Sequence, residues 1–314
     1  MSENNNIIEV NGLSKSYGKK KPRVYAVYDV SFFIRKGEIL GLVGESGCGK
    51  STLGRMLLKL ESATKGTITF EGQDITGYSF NEMRKIRDHM QMIFQGSSNA
   101  FNPYYTVRQI IGEPLGNYRK MDKRERDAVI ISMLDKVGLD ESYLNRYSHE
   151  LSGGQRQRVG IARALILDPD FVVCDEAVSS IDFALKKQIL KILADLKKHK
   201  GYTYLFISHD MAAVKALCDR IMVMYLGNIM EILPDPDIKP LHPYTKALTA
   251  ATLKPDPNLK HEKKVLFKES SELTVPEKGC VFQSRCLYAR EKCFCERPEI
   301  KEINAGHFVA CHYT

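Results

Sequence analysis

The sequence predicts an α/β fold built on a mostly parallel sheet covered by helices, followed by a small cysteine-rich tail. Three observations carry this expectation. Beyond residue 165, short apolar runs alternate with segments of helical period, the pattern of a parallel sheet. The apolar run Ile39–Val43 leads straight into a glycine-rich stretch and then a helical pattern. Of the eight cysteines, Cys280, Cys286, Cys293, Cys295 and Cys311 crowd the last segment, while Cys48, Cys174 and Cys218 are scattered.

Along the chain, Ile7–Val10, Tyr25–Ile34, Ile39–Val43 and Thr67–Phe70 read as strands punctuated by Gly12, Gly37, Gly44 and Gly72. A helix is expected to begin within Gly49–Thr52 and to run through Leu60. Residues 80–165 read as mostly helical, over Asn81–His89, Thr106–Gly112, Lys123–Val137 and Gln155–Leu167. Strands then follow at Phe171–Cys174, Thr203–Ile207 and Arg220–Tyr225, with helices at Ala184–Lys198 and Met211–Leu217. Four prolines within 233–243 suggest a linker into the tail, and residues 254–278, charged and poorly periodic, read as a loose excursion. No internal repeat is visible.

With 314 residues the chain is long enough for one large or two modest domains. No run approaches the roughly 20 apolar residues that span a bilayer. The start, Met1-Ser2-Glu3-Asn4-Asn5-Asn6, lacks the basic-then-apolar pattern of a secretion signal. A cytoplasmic protein is expected, with any membrane link made through a partner. The net charge of +8 is spread out, with no basic run longer than Lys19-Lys20-Lys21, so a nucleic-acid partner is not expected.

Gly44-Glu45-Ser46-Gly47-Cys48-Gly49-Lys50-Ser51 fits G-x-x-x-x-G-K-[ST] between a strand and a helix, the context that makes the pattern informative. Its glycines let backbone N–H groups curl around phosphate oxygens, and the following helix points its positive end at them. Lys50 is expected to reach the β- and γ-phosphates and Ser51 to coordinate Mg²⁺, with Thr52 completing the lining. Phe171-Val172-Val173-Cys174-Asp175-Glu176 reads as a buried strand ending in two carboxylates. Asp175 suits water-mediated Mg²⁺ ligation and Glu176 suits proton acceptance from an attacking water. Ser152, in Leu151-Ser152-Gly153-Gly154-Gln155, is a suitable N-cap, and the glycines permit close approach to an anion at the start of a helix.

With these motifs in this order, residues 7–232 resemble the ABC ATPase family. The resemblance implies a phosphate-loop NTPase with a RecA-like core, an antiparallel β subdomain and a helical subdomain at about 97–163. The ATPase domain is then expected over 1–235 and a Cys-rich C-terminal extension over 236–314. It also implies that Ser152, Gly153, Gly154 and Gln155 bind the γ-phosphate of an ATP held by another subunit. Residue by residue, Tyr17 matches the aromatic that stacks on adenine, with Tyr25 a weaker candidate. Gln95 matches the glutamine that touches Mg²⁺ and water, Asp182 the acidic residue of the interface loop, and His209 the histidine that holds the γ-phosphate and positions water. Two departures stand out: Ser180-Ile181 where the family usually has Ala-Leu, and Gly96 after Gln95 where many importers have Asp.

Arg146–Arg163, Val223–Gly227 with Glu231, and His242-Pro243-Tyr244-Thr245 narrow the resemblance to the oligopeptide/dipeptide/nickel importers, and within them to the second, F-type ATPase subunit. This implies ATP and Mg²⁺ as ligands and a heterodimer with a sister ATPase. It also implies two membrane permeases, an extracytoplasmic substrate-binding protein and a peripheral place on the cytoplasmic face of the membrane. Peptide import is the leading expectation. Nickel or metal-chelate import and a soluble non-transport ABC ATPase are the alternatives. For Cys280, Cys286, Cys293 and Cys311 the readings are an iron–sulfur ([4Fe-4S]) cluster, tetrahedral zinc, or reduced thiols in a small core, with Cys295 able to replace Cys293.

Overall fold

The computed structural model describes residues 5–18, 24–94, 101–178, 182–250 and 275–314. The chain divides into two compact units, one formed by residues 1–8, 34–39 and 69–207, the other by 9–33, 40–68 and 208–314.

Near the N-terminus, β1 (Asn6–Tyr17) and β2 (Val24–Arg35) mix buried residues with partly and fully exposed ones, as expected of strands with one wet face. Strand β3 (Ile39–Val43) is buried at every position and leads into helix α1 (Lys50–Leu57). β4 (Lys65–Phe70) lies beside β1, and the two-residue β5 (Gln73–Asp74) folds back on it with Thr69 opposite Asp74.

Within the first unit, helix α2 (Phe80–Arg84) starts at a capping box between Ser79 and Glu82. Strand β6 (Met90–Ile93) follows, then helices α3 (Val107–Tyr118), α4 (Lys123–Lys136) and α5 (Gly153–Leu165). Each of these three helices also begins with a capping box, set by Thr106, Asp122 and Ser152. β7 (Phe171–Asp175), α6 (Phe183–Lys200) and β8 (Thr203–Ser208) complete the alternation. β6, β7 and β8 are parallel neighbours, with Met92 opposite Val173 and Val173 opposite Leu205.

The second unit carries α7 (Met211–Leu217), β9 (Arg220–Tyr225), β10 (Asn228–Leu233), α8 (Pro243–Ala250), α9 (Glu291–Cys295), β11 (Lys301–Asn304) and β12 (His307–Val309). β3 pairs parallel to β9, β9 antiparallel to β10, and β10 antiparallel to β12, whose other side takes β11. The C-terminal segment therefore extends a sheet begun by β3. β3, β7, β8 and β9 have no exposed residue, which explains their near-continuous apolar sequences.

Several sequence expectations need correction. Met90–Ile93 is a strand inside a region expected to be mostly helical. Four apolar-type residues cannot be assigned by period alone, and parallel pairing with β7 decides the outcome. The helix expected over Asn81–His89 ends at Arg84. The helix expected to stop at Gly112 continues to Tyr118 through Pro114. β10, β11 and β12 were not anticipated. The excursion expected at 254–278 lies outside the described residues up to 274. No helix among the described residues is long and apolar enough to cross a membrane.

Candidate functional site

The phosphate-loop motif sits where β3 ends and α1 begins, in the second unit. Two of its glycines are required by close approach. A Cβ on Gly44 would lie 2.1 Å from the Met224 carbonyl oxygen, and one on Gly49 would lie 1.9 Å from the Ala26 carbonyl oxygen. Gly49 also has φ 107°, in the region glycine alone adopts readily. Lys50 is buried, and its ammonium donates to the carbonyls of Gly44 (2.9 Å) and Glu45 (2.8 Å). The Cys48 thiol lies 3.8 Å from that ammonium, and burial raises its pKa. The loop and helix thus bring Gly44, Glu45, Ser46, Gly47, Cys48, Gly49, Lys50, Ser51 and Thr52 into one local structure.

Tyr17, at the end of β1, is half exposed, and its hydroxyl donates to the Glu61 carboxylate. It also meets the Thr52 side chain, which places the ring beside the start of α1. Tyr25 is packed edge-on against Tyr28, with ring centroids 5.0 Å apart. Tyr17 therefore offers the more accessible face.

In the first unit, β7 delivers Asp175 at its buried end and Glu176 just beyond it. Glu176 has φ 50°, an uncommon conformation for a residue with a side chain, and its N–H donates to the Ile207 carbonyl at 3.0 Å. The Gln157 side chain donates to the Ala177 carbonyl at 2.9 Å, so α5 is tied to the turn that carries Glu176.

The same unit brings Ser152, Gly153, Gly154, Gln155 and Asp182 to one cavity of about 630 Å³. The Ser152 hydroxyl accepts from the Gln155 N–H, while the Gln155 side chain accepts from the Ser152 N–H and donates to the Tyr143 hydroxyl. Asp182 caps α6 by accepting from the Leu185 N–H at 2.9 Å. A Cβ on Gly154 would meet Leu185 at 2.5 Å, so this glycine lets α5 approach α6, whereas Gly153 faces open space. His209 follows β8 in the second unit and is exposed. Gln95, Gly96, Ser180 and Ile181 lie outside the described residues.

In the C-terminal extension, Cys280, Cys286, Cys293 and Cys311 line one small cavity with His242 and His312. Burial, reinforced by the neighbouring thiols, pushes the Cys280 thiol up to about 11. Among the described residues, no group of three or more His, Cys, Asp or Glu is placed to hold a metal ion. Cys295 is exposed.

Two neighbours of the phosphate loop are not announced by any spacing in the sequence. The Tyr244 hydroxyl accepts the Glu45 N–H at 3.0 Å, and Arg285 donates to the Glu45 carboxylate at 2.8 Å.

The ABC transporter family matches residues 27–179, and the C-terminal region of oligopeptide/dipeptide transporters matches residues 230–293. A putative peptide import ATP-binding protein of Brucella ovis is 44% identical over 307 residues, covering 97% of each chain. The putative oligopeptide transport ATP-binding protein YkfD of Bacillus subtilis is 46% identical over 312 residues, covering 98% of this chain and 95% of the relative. A dimeric ATP-binding cassette solved in a post-hydrolysis state with ADP and Pi superimposes with TM-score 0.66 at 28% identity, over 71% of this chain and 96% of that one.

Proposed function

The chain belongs to the family of ABC-transporter ATP-binding subunits whose C-terminal region is of the oligopeptide/dipeptide type, and on that premise we propose that it hydrolyses ATP to power peptide import. The observation that carries this reading is the succession, on one chain, of an ABC cassette at 27–179 and an oligopeptide/dipeptide region at 230–293.

In this reading Gly44–Thr52 cradles the phosphates. Lys50 neutralises charge at the β- and γ-phosphates, and Tyr17 stacks on adenine. Ser51, Gln95 and Asp175 would hold Mg²⁺, directly or through water, and the ion would offset phosphate charge. Glu176 accepts the proton of the attacking water, and His209 orients that water. Ser152–Gln155 and Asp182 serve the ATP held by a partner, so each active site needs two chains. The partner is a homologous but different ATPase, this chain being the F-type member. The dimer docks on two permeases at the cytoplasmic face of the membrane, and an extracytoplasmic binding protein delivers the peptide. The division into an ATPase domain over 1–235 and an extension over 236–314 belongs to the same reading.

The experiment is reconstitution with the permeases, the sister ATPase and the binding protein in vesicles. ATP turnover is expected to rise several-fold when the binding protein is loaded with peptide. Stimulation by a nickel chelate and none by peptide would transfer the reading to metal import.

For the extension we propose a four-thiolate iron–sulfur site on Cys280, Cys286, Cys293 and Cys311, supported by their lining a common cavity. Four thiolates are the donor set such a cluster takes, although no group among the described residues is placed to hold a metal ion. Anaerobically purified protein is expected to contain iron and sulfide. Zinc in their place would point to a tetrahedral site, and neither would leave reduced thiols in a small core.

A further inference from the structure

We infer that Tyr244 and Arg285, both from the C-terminal segment, are positioning residues for the phosphate loop, fixing Glu45 so that Lys50 is presented to the phosphates. The inference rests on the nucleotide reading of Gly44–Ser51.

Glu45 is held at three points. Its N–H donates to the Tyr244 hydroxyl oxygen at 3.0 Å, from 199 positions away in sequence. Its carboxylate accepts from the Arg285 guanidinium at 2.8 Å, from 240 positions away. Its carbonyl accepts from the Lys50 ammonium at 2.8 Å and from the Cys48 N–H at 3.3 Å. The Glu45 N–H shares its peptide with the Gly44 carbonyl, which also accepts from the Lys50 ammonium at 2.9 Å, so Tyr244 on that N–H and Arg285 on the side chain flank the two carbonyls on which Lys50 rests.

The two clamps are themselves rigid. Tyr244 is 1% exposed and packs against Tyr225 and Phe282, with ring centroids 4.7 and 5.4 Å apart. Its own N–H donates to His242 Nδ1 at 3.0 Å, and the His242 N–H donates to the buried Glu231 carboxylate at 3.2 Å. Arg285 is buried, lies 5.7 Å from the Tyr225 ring centroid and also donates to the Tyr225 hydroxyl at 3.4 Å. Side chains locked by packing hold a binding loop close to its working geometry, and such preorganisation lowers the cost of binding. A surface ion pair would do little of this, but the Arg285 side chain retains only 10% exposure beside Glu45.

Isothermal titration of the full chain with MgADP tests the inference. Tyr244→Phe keeps the ring and removes the acceptor, and Arg285→Gln removes the ion pair. Each is expected to raise the dissociation constant about 3- to 10-fold, the effect of losing one such hydrogen bond. The loss should appear in KM for ATP more than in the maximal ATPase rate at saturating ATP, and the melting temperature should fall by no more than one broken buried pair accounts for. Arg285→Lys should recover most of the affinity, which keeps the test informative if Arg285→Gln fails to fold. In a Glu45→Gln background, Arg285→Gln should add little, because the pair is already broken. Wild-type affinity in both single variants, or full additivity with Glu45→Gln, would overturn the inference and leave the nucleotide reading intact. Absence of MgADP binding by the wild type would instead remove the nucleotide reading, and the inference with it.

Discussion

Glu176→Gln is expected to bind ATP as the wild type does while its turnover falls about 10²- to 10⁴-fold, the range a general base contributes. The substitution keeps the shape of the side chain and removes only its capacity to take a proton. The backbone argues for the assignment. Glu176 sits one residue past a fully buried strand, at φ 50°, with its N–H fixed on the Ile207 carbonyl. A non-glycine residue held there costs on the order of 1–3 kcal/mol, a strain that persists where the surroundings over-determine it and that clusters at active sites. The turn is further braced by Gln157 on the Ala177 carbonyl. Without proton transfer, ATP is expected to stay bound and the dimer proposed above to stay closed. Phosphate release at saturating MgATP and size-exclusion chromatography with ATP read the two consequences. Undiminished hydrolysis by Glu176→Gln would remove Glu176 as the base.

How far the sequence could be read depended on how local the cause was. Gly44–Ser51 was legible because its requirement is local: a strand, a tight glycine turn and a helix, each visible within about a dozen residues. Ser152 was legible as a cap because the Gln155 side chain completes its capping box within one turn. The strand Phe171–Asp175 and its acidic end were legible from an unbroken apolar run. Met90–Ile93 was not, because four residues carry no period and only β7 makes them a strand. β12 was equally hidden: His307–Val309 is three residues long, and Glu231 opposite Val309 defines it. The partners of Glu45 were the least accessible of all. Tyr244 stands out in the sequence only within His242-Pro243-Tyr244-Thr245, with no contact assigned to it, and nothing near Arg285 in the sequence points to Glu45. Their role depends on contacts across some two hundred positions, which no periodicity reports.

Glu231→Ala carries the second large effect, this time on stability. Glu231 has no solvent exposure. Its carboxylate accepts the Leu241 N–H at 2.7 Å and the His242 N–H at 3.2 Å, and His307 Nε2 stands 2.8 Å from Oε1. One side chain thus satisfies the start of α8 and the first residue of β12 from the middle of β10. His242 itself is neutral, burial having pushed its imidazole down to about 3, so its Nδ1 accepts the Tyr244 N–H. Removing the Glu231 carboxylate strands two backbone donors and a buried imidazole together. Breaking a buried hydrogen-bonded pair of this kind costs about 3–5 kcal/mol. Glu231→Gln, which keeps the shape and one acceptor oxygen, should cost about 1–3 kcal/mol, the penalty of an imperfectly satisfied buried group. Chemical denaturation gives the size of the loss, and hydrogen exchange at His307–Val309 shows whether β12 detaches first. Equal stability of Glu231→Ala and wild type would mean that the segment is held by its apolar contacts alone. Because His242 and Tyr244 hang from the same carboxylate, a loosened Glu231 should also release the Glu45 N–H. The alanine variant is therefore expected to lose MgADP affinity in parallel with protection at β12, whereas Tyr244→Phe should lose the affinity and keep the protection.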